Sequence, residues 1–324
     1  MESSSPKTDA IDQFQKLLDK DEFDFVEYRR LAASYELPMS LRPEIWKILF
    51  GVTSVKRSDR GPQDSKACEN YKKCLEKFNK MLETQIDENL AYLQREFPRT
   101  HHSDPVFQSP QVHVVIGKVL RCYLYCENQN YHGGMTQIVF LIAFGYLAPL
   151  LKATEYSFKS EHVERFNSLD EQTLFNFEVN LYFSISSFFA MHNFQKMSKS
   201  LEAINEQFLK CIKEKNVPAY TIFKTKGINT ATLFWRLIMA CFSFDMPTEL
   251  TLKIFDYLVG DLTNHLEIIF EIIAVMTKIF LKEFEILDET EYLMFFYSRP
   301  YENWDIEKII EILKYINTNW KKKK

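Results

Sequence analysis

Only 8 glycines and 11 prolines punctuate the 324 residues, too few for a turn-rich β architecture and few enough to leave long helices uninterrupted. The 6 cysteines include no CxxC pair, and none stands beside histidine at zinc-like spacing, so no metal site is expected. Cys122 and Cys126 are one helical turn apart and read as small buried hydrophobes. No broad basic character is available to hold nucleic acid, because the net charge is −4. The first residues, Met1-Glu-Ser-Ser-Ser-Pro-Lys7, lack the apolar stretch of a signal peptide. The longest apolar run, Ile138 to Leu151, is too short to span a bilayer. No Asn-x-Ser/Thr acceptor occurs. A reducing, cytoplasmic setting fits these absences.

Nucleotide and hydrolase motifs are missing as well. Gly117-Lys118 is followed by Val119, and Val112 stands where a phosphate-cradling loop needs its first glycine. Neither HExxH nor GxSxG is present. The chain brings no nucleotide cradle of its own.

Hydrophobic residues make up 46% of the chain and phenylalanine alone numbers 28, enough for a sizeable core. Apolar residues recur at three and four: Phe14, Leu17 and Leu18, then Phe25, Tyr28 and Leu31. Ser40 reads as an N-cap with Pro43 in the first turn that follows. Arg42 and Trp46 form an i,i+4 pair, a structural arrangement of guanidinium and indole. Ser54 to Ser65 reads as a solvent loop, and Ala67 to Arg95 as one long amphipathic stretch. Pro98 disfavours helix at Phe97 and places Arg99 at a helix end or in a loop. His101, His102 and Asp104 continue that loop, with the histidines exposed. Val112–Tyr125, Met135–Leu151, Leu169–Met191, His265–Leu281 and Asp305–Trp320 read as helices. Glu267, Glu271 and Lys278 are expected to line one polar stripe of the fourth. No alternation of period two is sustained, so the expected class is all-α with no sheet.

Four blocks appear in order along the chain. The first is Leu41-Arg42-Pro43-Glu44-Ile45-Trp46. The second is Leu93-Gln-Arg-Glu96-Phe-Pro-Arg99-Thr100, and the third is Tyr131-His132-Gly133-Gly134-Met135. The last runs from Trp235 through Met246-Pro247 to Lys253-Ile254-Phe255-Asp256. Together they resemble the TBC domains of Rab GTPase-activating proteins. There the second block reads Ile-x-x-Asp-x-x-Arg and supplies an arginine finger, and the third reads Tyr-x-Gln-Gly-Met and supplies a glutamine finger. Arginine is kept at Arg99, but Gly133 occupies the glutamine position and Phe255 replaces a tryptophan.

The resemblance implies a domain of two helical lobes with a groove between them. It spans 23–320, with lobes of about 23–190 and 191–320. A 1–22 arm with disordered first residues precedes it, and a basic 321–324 tail follows. Arg99 would be the catalytic residue, oriented by Glu96. Tyr131, His132, Gly133 and Gly134 would line the GTPase groove. Arg42, Trp46, Trp235 and Asp256 would be structural. The partner would be a Rab-family GTPase that brings its own GTP and magnesium, so no cofactor is expected in this chain. Membrane contact would be peripheral and made through the Rab, in vesicle trafficking. An arginine finger suits the task because phosphoryl transfer to water spreads charge over the γ-phosphate, which a planar guanidinium stabilises with directed hydrogen bonds. Gly133-Gly134 is either a tight entry to the Met135 helix or a point of close backbone approach to a partner. Three functions fit: an activator supplying Arg99 alone, a Rab binder without turnover, and a helical scaffold.

Overall fold

The computed structural model describes residues 6–298, 300–301 and 303–320. The residues expected to be disordered at the start and the 321–324 basic tail lie outside these. Helix accounts for 72% of the chain. The described residues contain no strand and one isolated bridge, Glu22 with Lys56.

The helices run in order as α1 (Pro6–Leu18), α2 (Phe25–Ser34), α3 (Arg42–Leu49), α4 (Arg60–Leu82), α5 (Glu88–Glu96), α6 (Pro110–Cys126), α7 (Met135–Leu150), α8 (Ser160–Asn167) and α9 (Glu171–Met191). They continue as α10 (Phe194–Lys199), α11 (Leu201–Lys215), α12 (Val217–Thr225), α13 (Thr230–Leu233), α14 (Trp235–Met239), α15 (Thr248–Val259), α16 (His265–Met276), α17 (Leu281–Ile286), α18 (Glu289–Tyr297) and α19 (Ile306–Trp320). One compact unit comprises Met1–Asp24 and Leu37–Ala190, and the other Phe25–Glu36 and Met191–Lys324. The 25–36 segment, expected in the first lobe, packs in the second unit.

The first unit is built around α7. Every residue from Met135 to Ala148 is buried, as expected of a helix that is apolar on all faces. Phe107, Phe140, Phe144 and Phe158 interlock beside it, with ring centroids 4.8 Å apart for Phe107–Phe140 and 4.7 Å for Phe144–Phe158. On another face α7 meets α3 at Gly145, where a Cβ would lie 2.2 Å from Trp46 Cζ3. Trp46 is fully buried, Arg42 Cζ sits 5.8 Å from its ring centroid, and Arg42 Nη2 donates to the Leu37 carbonyl at 2.9 Å. Buried Glu178 of α9 is neutralised by Lys118 and accepts a hydrogen bond from the Tyr71 hydroxyl at 3.1 Å.

In the second unit, α2 packs on α15 and α19. The Tyr28 hydroxyl donates to the Asp256 carbonyl at 2.6 Å, and the Lys253 ammonium donates to the carbonyls of Ala32 and Tyr35 at the end of α2. Cationic donors there satisfy carbonyls that a helix C-terminus leaves open. Trp235 opens α14 and is half-buried, while Asp256 is fully buried.

Several sequence expectations are revised. Ser54–Ser65 is not simply a loop: a 3₁₀ turn covers Arg57–Asp59, and α4 begins at Arg60. Pro62 falls in its first turn, where the missing N–H has no carbonyl to meet. The Ala67–Arg95 stretch breaks between Leu82 and Glu88. The residue preceding α3 is Leu41, not Ser40. The helix from His265 ends at Met276, and Glu271 lies in the core rather than on a polar stripe, 3.3 Å from the nearly buried Lys215. Among the described residues no helix is long and apolar enough to cross a membrane.

Gly145→Ala should lower unfolding free energy by roughly 1–3 kcal/mol, because the added methyl displaces the Trp46 ring. Gly61→Ala in α4, with nothing within 4 Å of its Cβ, should be neutral or stabilising by up to about 1 kcal/mol. Urea denaturation of the two variants checks this contrast.

Candidate functional site

The segment that presents Arg99 is held at both ends. Asp87 caps α5, its Oδ1 accepting from the Asn89 amide at 3.0 Å, while its Oδ2 pairs with Arg121 of α6 at 2.9 Å. Both side chains of that pair are largely buried, with 7% and 17% exposed. At the other end α5 tightens into a 3₁₀ turn, Phe97–Arg99. Phe97 is helical, with φ −58° and ψ −47°, contrary to the break expected before Pro98. Proline at this tight N-terminus forfeits no hydrogen bond, and burial of Phe97 holds the conformation. Its ring lies 5.0 Å from that of Phe140 and 5.3 Å from His113. It also covers Gly117, where a Cβ would come within 3.3 Å of Phe97 Cε2.

Two residues past this wedge, Arg99 is exposed, with no hydrogen bond or ion pair among the described residues. Thr100 then closes the turn. Its amide donates to the carbonyls of Glu96 at 3.1 Å and Phe97 at 3.0 Å, and its hydroxyl donates to Glu96 at 3.0 Å. Asp104 fixes the next loop by accepting from the amides of Val106 and Phe158 at 3.0 Å and Phe107 at 3.2 Å. Burial nevertheless pushes its carboxyl above the usual range.

The glycine segment lies against α5 through aromatic stacking. The Tyr92 and Tyr131 rings are stacked at 6.1 Å and 20°. Arg95 covers the opposite partner, its Cζ 5.1 Å from the Tyr92 centroid. Tyr131 is half-buried and its hydroxyl is 3.4 Å from Thr136 Oγ1. Burial raises its pKa to about 12, with the Glu96 carboxylate acting in the same direction. No Glu96–Arg99 ion pair exists among the described residues. Tyr92 and Arg95 were not singled out from sequence. Their i,i+3 spacing on α5 is the available signal.

The two glycines have different roles. Gly134 is the N-cap of α7 with φ +97°, a conformation that strongly favours glycine. Gly133 has no positive φ, is exposed, and has nothing within 4 Å of a Cβ position. His132 is half-buried and desolvation lowers its pKa. Its carbonyl accepts from the Met135 amide at 3.1 Å. Gln137 is 7% exposed, within the first turn of α7.

His101 departs from its expected exposed role. It adopts φ +48° and stacks on Phe140 at 6.2 Å, with Nε2 shielded and without a hydrogen-bond partner. Desolvation first, and then His102, lower its pKa to about 4. Between the unfolded value near 6.5 and this folded value, the unfolded chain binds the extra proton, so stability falls as pH drops through the window. His101→Asn, a residue that tolerates the left-handed backbone, should flatten this part of a denaturation-versus-pH profile.

Comparison with known proteins matches this geometry to one family. The Rab-GTPase-TBC domain model covers residues 39–286. The fold is similar to the crystal structure of the Ypt/Rab-GAP domain of Gyp1p, with TM-score 0.79, 14% identity and 98% of each chain covered. It is also similar to the Chlamydomonas flagellar RabGAP TBC domain, with TM-score 0.64, 15% identity, and 95% of this chain and 91% of that one covered. No curated protein matches significantly. The chain belongs to the Rab-GTPase-TBC domain family.

Proposed function

We propose that this chain binds a Rab-family GTPase and stimulates GTP hydrolysis with Arg99 as its single catalytic finger, the partner's own glutamine positioning the attacking water. The observation that carries this reading is Arg99 itself: exposed, without a side-chain partner among the described residues, and carried on a turn braced by Phe97 and Thr100. A guanidinium kept for structure would have a carboxylate or carbonyl nearby. One held ready for a partner's phosphate would not.

The second finger has no substitute within the motif. Gly133 has no side chain. Gln137 is buried in α7, and His132 is half-buried, with desolvation lowering its pKa. Water must therefore be oriented from the GTPase side. Gly133, in ordinary backbone conformation with open space at its Cβ, suits close approach by a partner's backbone. On this reading Gly134 serves helix entry and Gly133 serves contact. A Rab binder without turnover is the second reading, and the empty glutamine position is what favours it.

The test is GTP hydrolysis over a panel of Rab proteins with binding measured in parallel. Arg99→Ala should reduce stimulation by roughly 10³–10⁵-fold where the wild-type effect is large enough to show it, with Rab affinity nearly unchanged, because the finger acts in the transition state. Parallel loss of affinity would make Arg99 a docking residue. Replacing the Rab's switch glutamine by leucine should abolish stimulation; persistence would mean that this chain supplies the missing group. Gly133→Gln should fold normally and, if the chain is a binder without turnover, restore stimulation.

A further inference from the structure

Three of the six cysteines converge between α4 and α6, away from the finger turn. Cys74 lies on α4 and Cys122 and Cys126 lie on α6. The Cys126 thiol is within hydrogen-bonding reach of the thiols of both others and donates to the Cys74 carbonyl at 3.6 Å. The Tyr182 hydroxyl of α9 donates to Cys74 Sγ at 3.4 Å. All are free thiols; Cys74 and Cys126 are half-buried and Cys122 is buried. No group of three or more such ligands among the described residues is arranged to hold a metal ion, so the cluster's chemistry is that of thiols.

We propose that Cys74 and Cys126 are a reversible redox pair, closed by a peroxide and opened by a dithiol reductant, that ties α4 to the root of the loop carrying Gly133. The partner choice follows from geometry. Cys122 and Cys126 stand one turn apart on a single helix, where Cβ atoms are about 5–6 Å apart, beyond the roughly 3.5–4.5 Å that a disulfide spans. Cys74 instead faces Cys126 from a neighbouring helix. Access agrees, since a peroxide reaches the half-buried thiols before the buried Cys122.

Oxidation begins at Cys74, whose sulfur accepts the hydrogen bond of the Tyr182 hydroxyl at 3.4 Å, while burial pushes the Cys126 thiol up to about 11. The Cys74 thiolate attacks the peroxide O–O bond, giving a sulfenic acid and hydroxide, which takes up the proton lost by the thiol. The Cys126 thiol then attacks the Cys74 sulfur. An S–S bond forms, the S–O bond breaks, and water leaves with the remaining thiol proton. In total two thiols and one peroxide give one disulfide and two waters. Exchange with a dithiol reverses it. Cys126 is the last residue of α6, and the 127–134 loop departs from it, so the cross-link restrains that loop at its origin.

Brief treatment of the purified chain with hydrogen peroxide, followed by non-reducing peptide mapping, tests the proposal. The expected product is one Cys74–Cys126 cross-linked peptide, with the mass of two hydrogens lost, and full recovery on addition of dithiothreitol. Cys74→Ser and Cys126→Ser should each abolish it. Tyr182→Phe should slow it by about fivefold, the kinetic equivalent of one hydrogen bond. Amide hydrogen exchange over 127–134 should be slower in the oxidised chain. Sulfinic or sulfonic acid at Cys74 without a cross-link, a link through any other cysteine, or no reaction would overturn the pairing. A cross-link that leaves exchange over 127–134 unchanged would overturn the tether. None of these readouts depends on GTPase stimulation.

Discussion

Burial of Phe97 is the constraint on which the candidate site depends. Its ring is wedged over Gly117 and against Phe140, so removing it would empty a core position, worth about 3–5 kcal/mol. That hold fixes the 3₁₀ turn and decides where the next residues point. Thr100 turns inward and closes on the Glu96 carbonyl, and Arg99 between them is left facing water. Exposure of Arg99 is thus a consequence of packing on either side of it.

The same economy of parts joins the turn to the glycine segment. The Tyr92 ring stacks on Tyr131, and the Thr136 hydroxyl lies 3.4 Å from the Tyr131 hydroxyl. Through that stacking α5, which leads into the Phe97–Arg99 turn, meets the glycine segment. In that segment, positive φ is spent at Gly134 to start α7, while Gly133 stays in ordinary conformation with empty space above. Absence of the glutamine is not forced by the backbone. A side chain would fit there.

Charge is treated in two ways. Among the described residues Arg99 is solvated and without an ion pair, whereas Arg121 and Lys118 of the same unit are paired with Asp87 and Glu178. In the second unit, Lys215 and Glu271 are likewise paired out of water, and Lys253 is spent on the carbonyls that end α2. Buried cations of that kind are held by their acceptors and are costly to separate from them. This contrast between committed and uncommitted cations is invisible in composition.

The all-helical class was legible from sequence because helical periodicity and scarcity of glycine are local properties, visible wherever apolar residues recur at three and four. Motif order exposed Arg99, Tyr131 and Gly133 for the same reason, since each block is contiguous. Other features were not local. Pro98 argued against helix at Phe97, and a long-range contact with Phe140 overrode it. His101 looked like a loop residue until Phe107 and Phe140 covered it. Glu271 fitted a polar stripe, yet Lys215, more than fifty residues away, drew it into the core. The 25–36 segment carried no mark of the unit it would join, because Lys253 and Asp256 reach it only in the folded chain. By itself the sequence determined the helices and the identity of the motif side chains, both set by neighbours along the chain. Which of those side chains faced water, paired or stacked was decided only by tertiary packing, because burial and hydrogen bonding depend on groups brought together from distant positions.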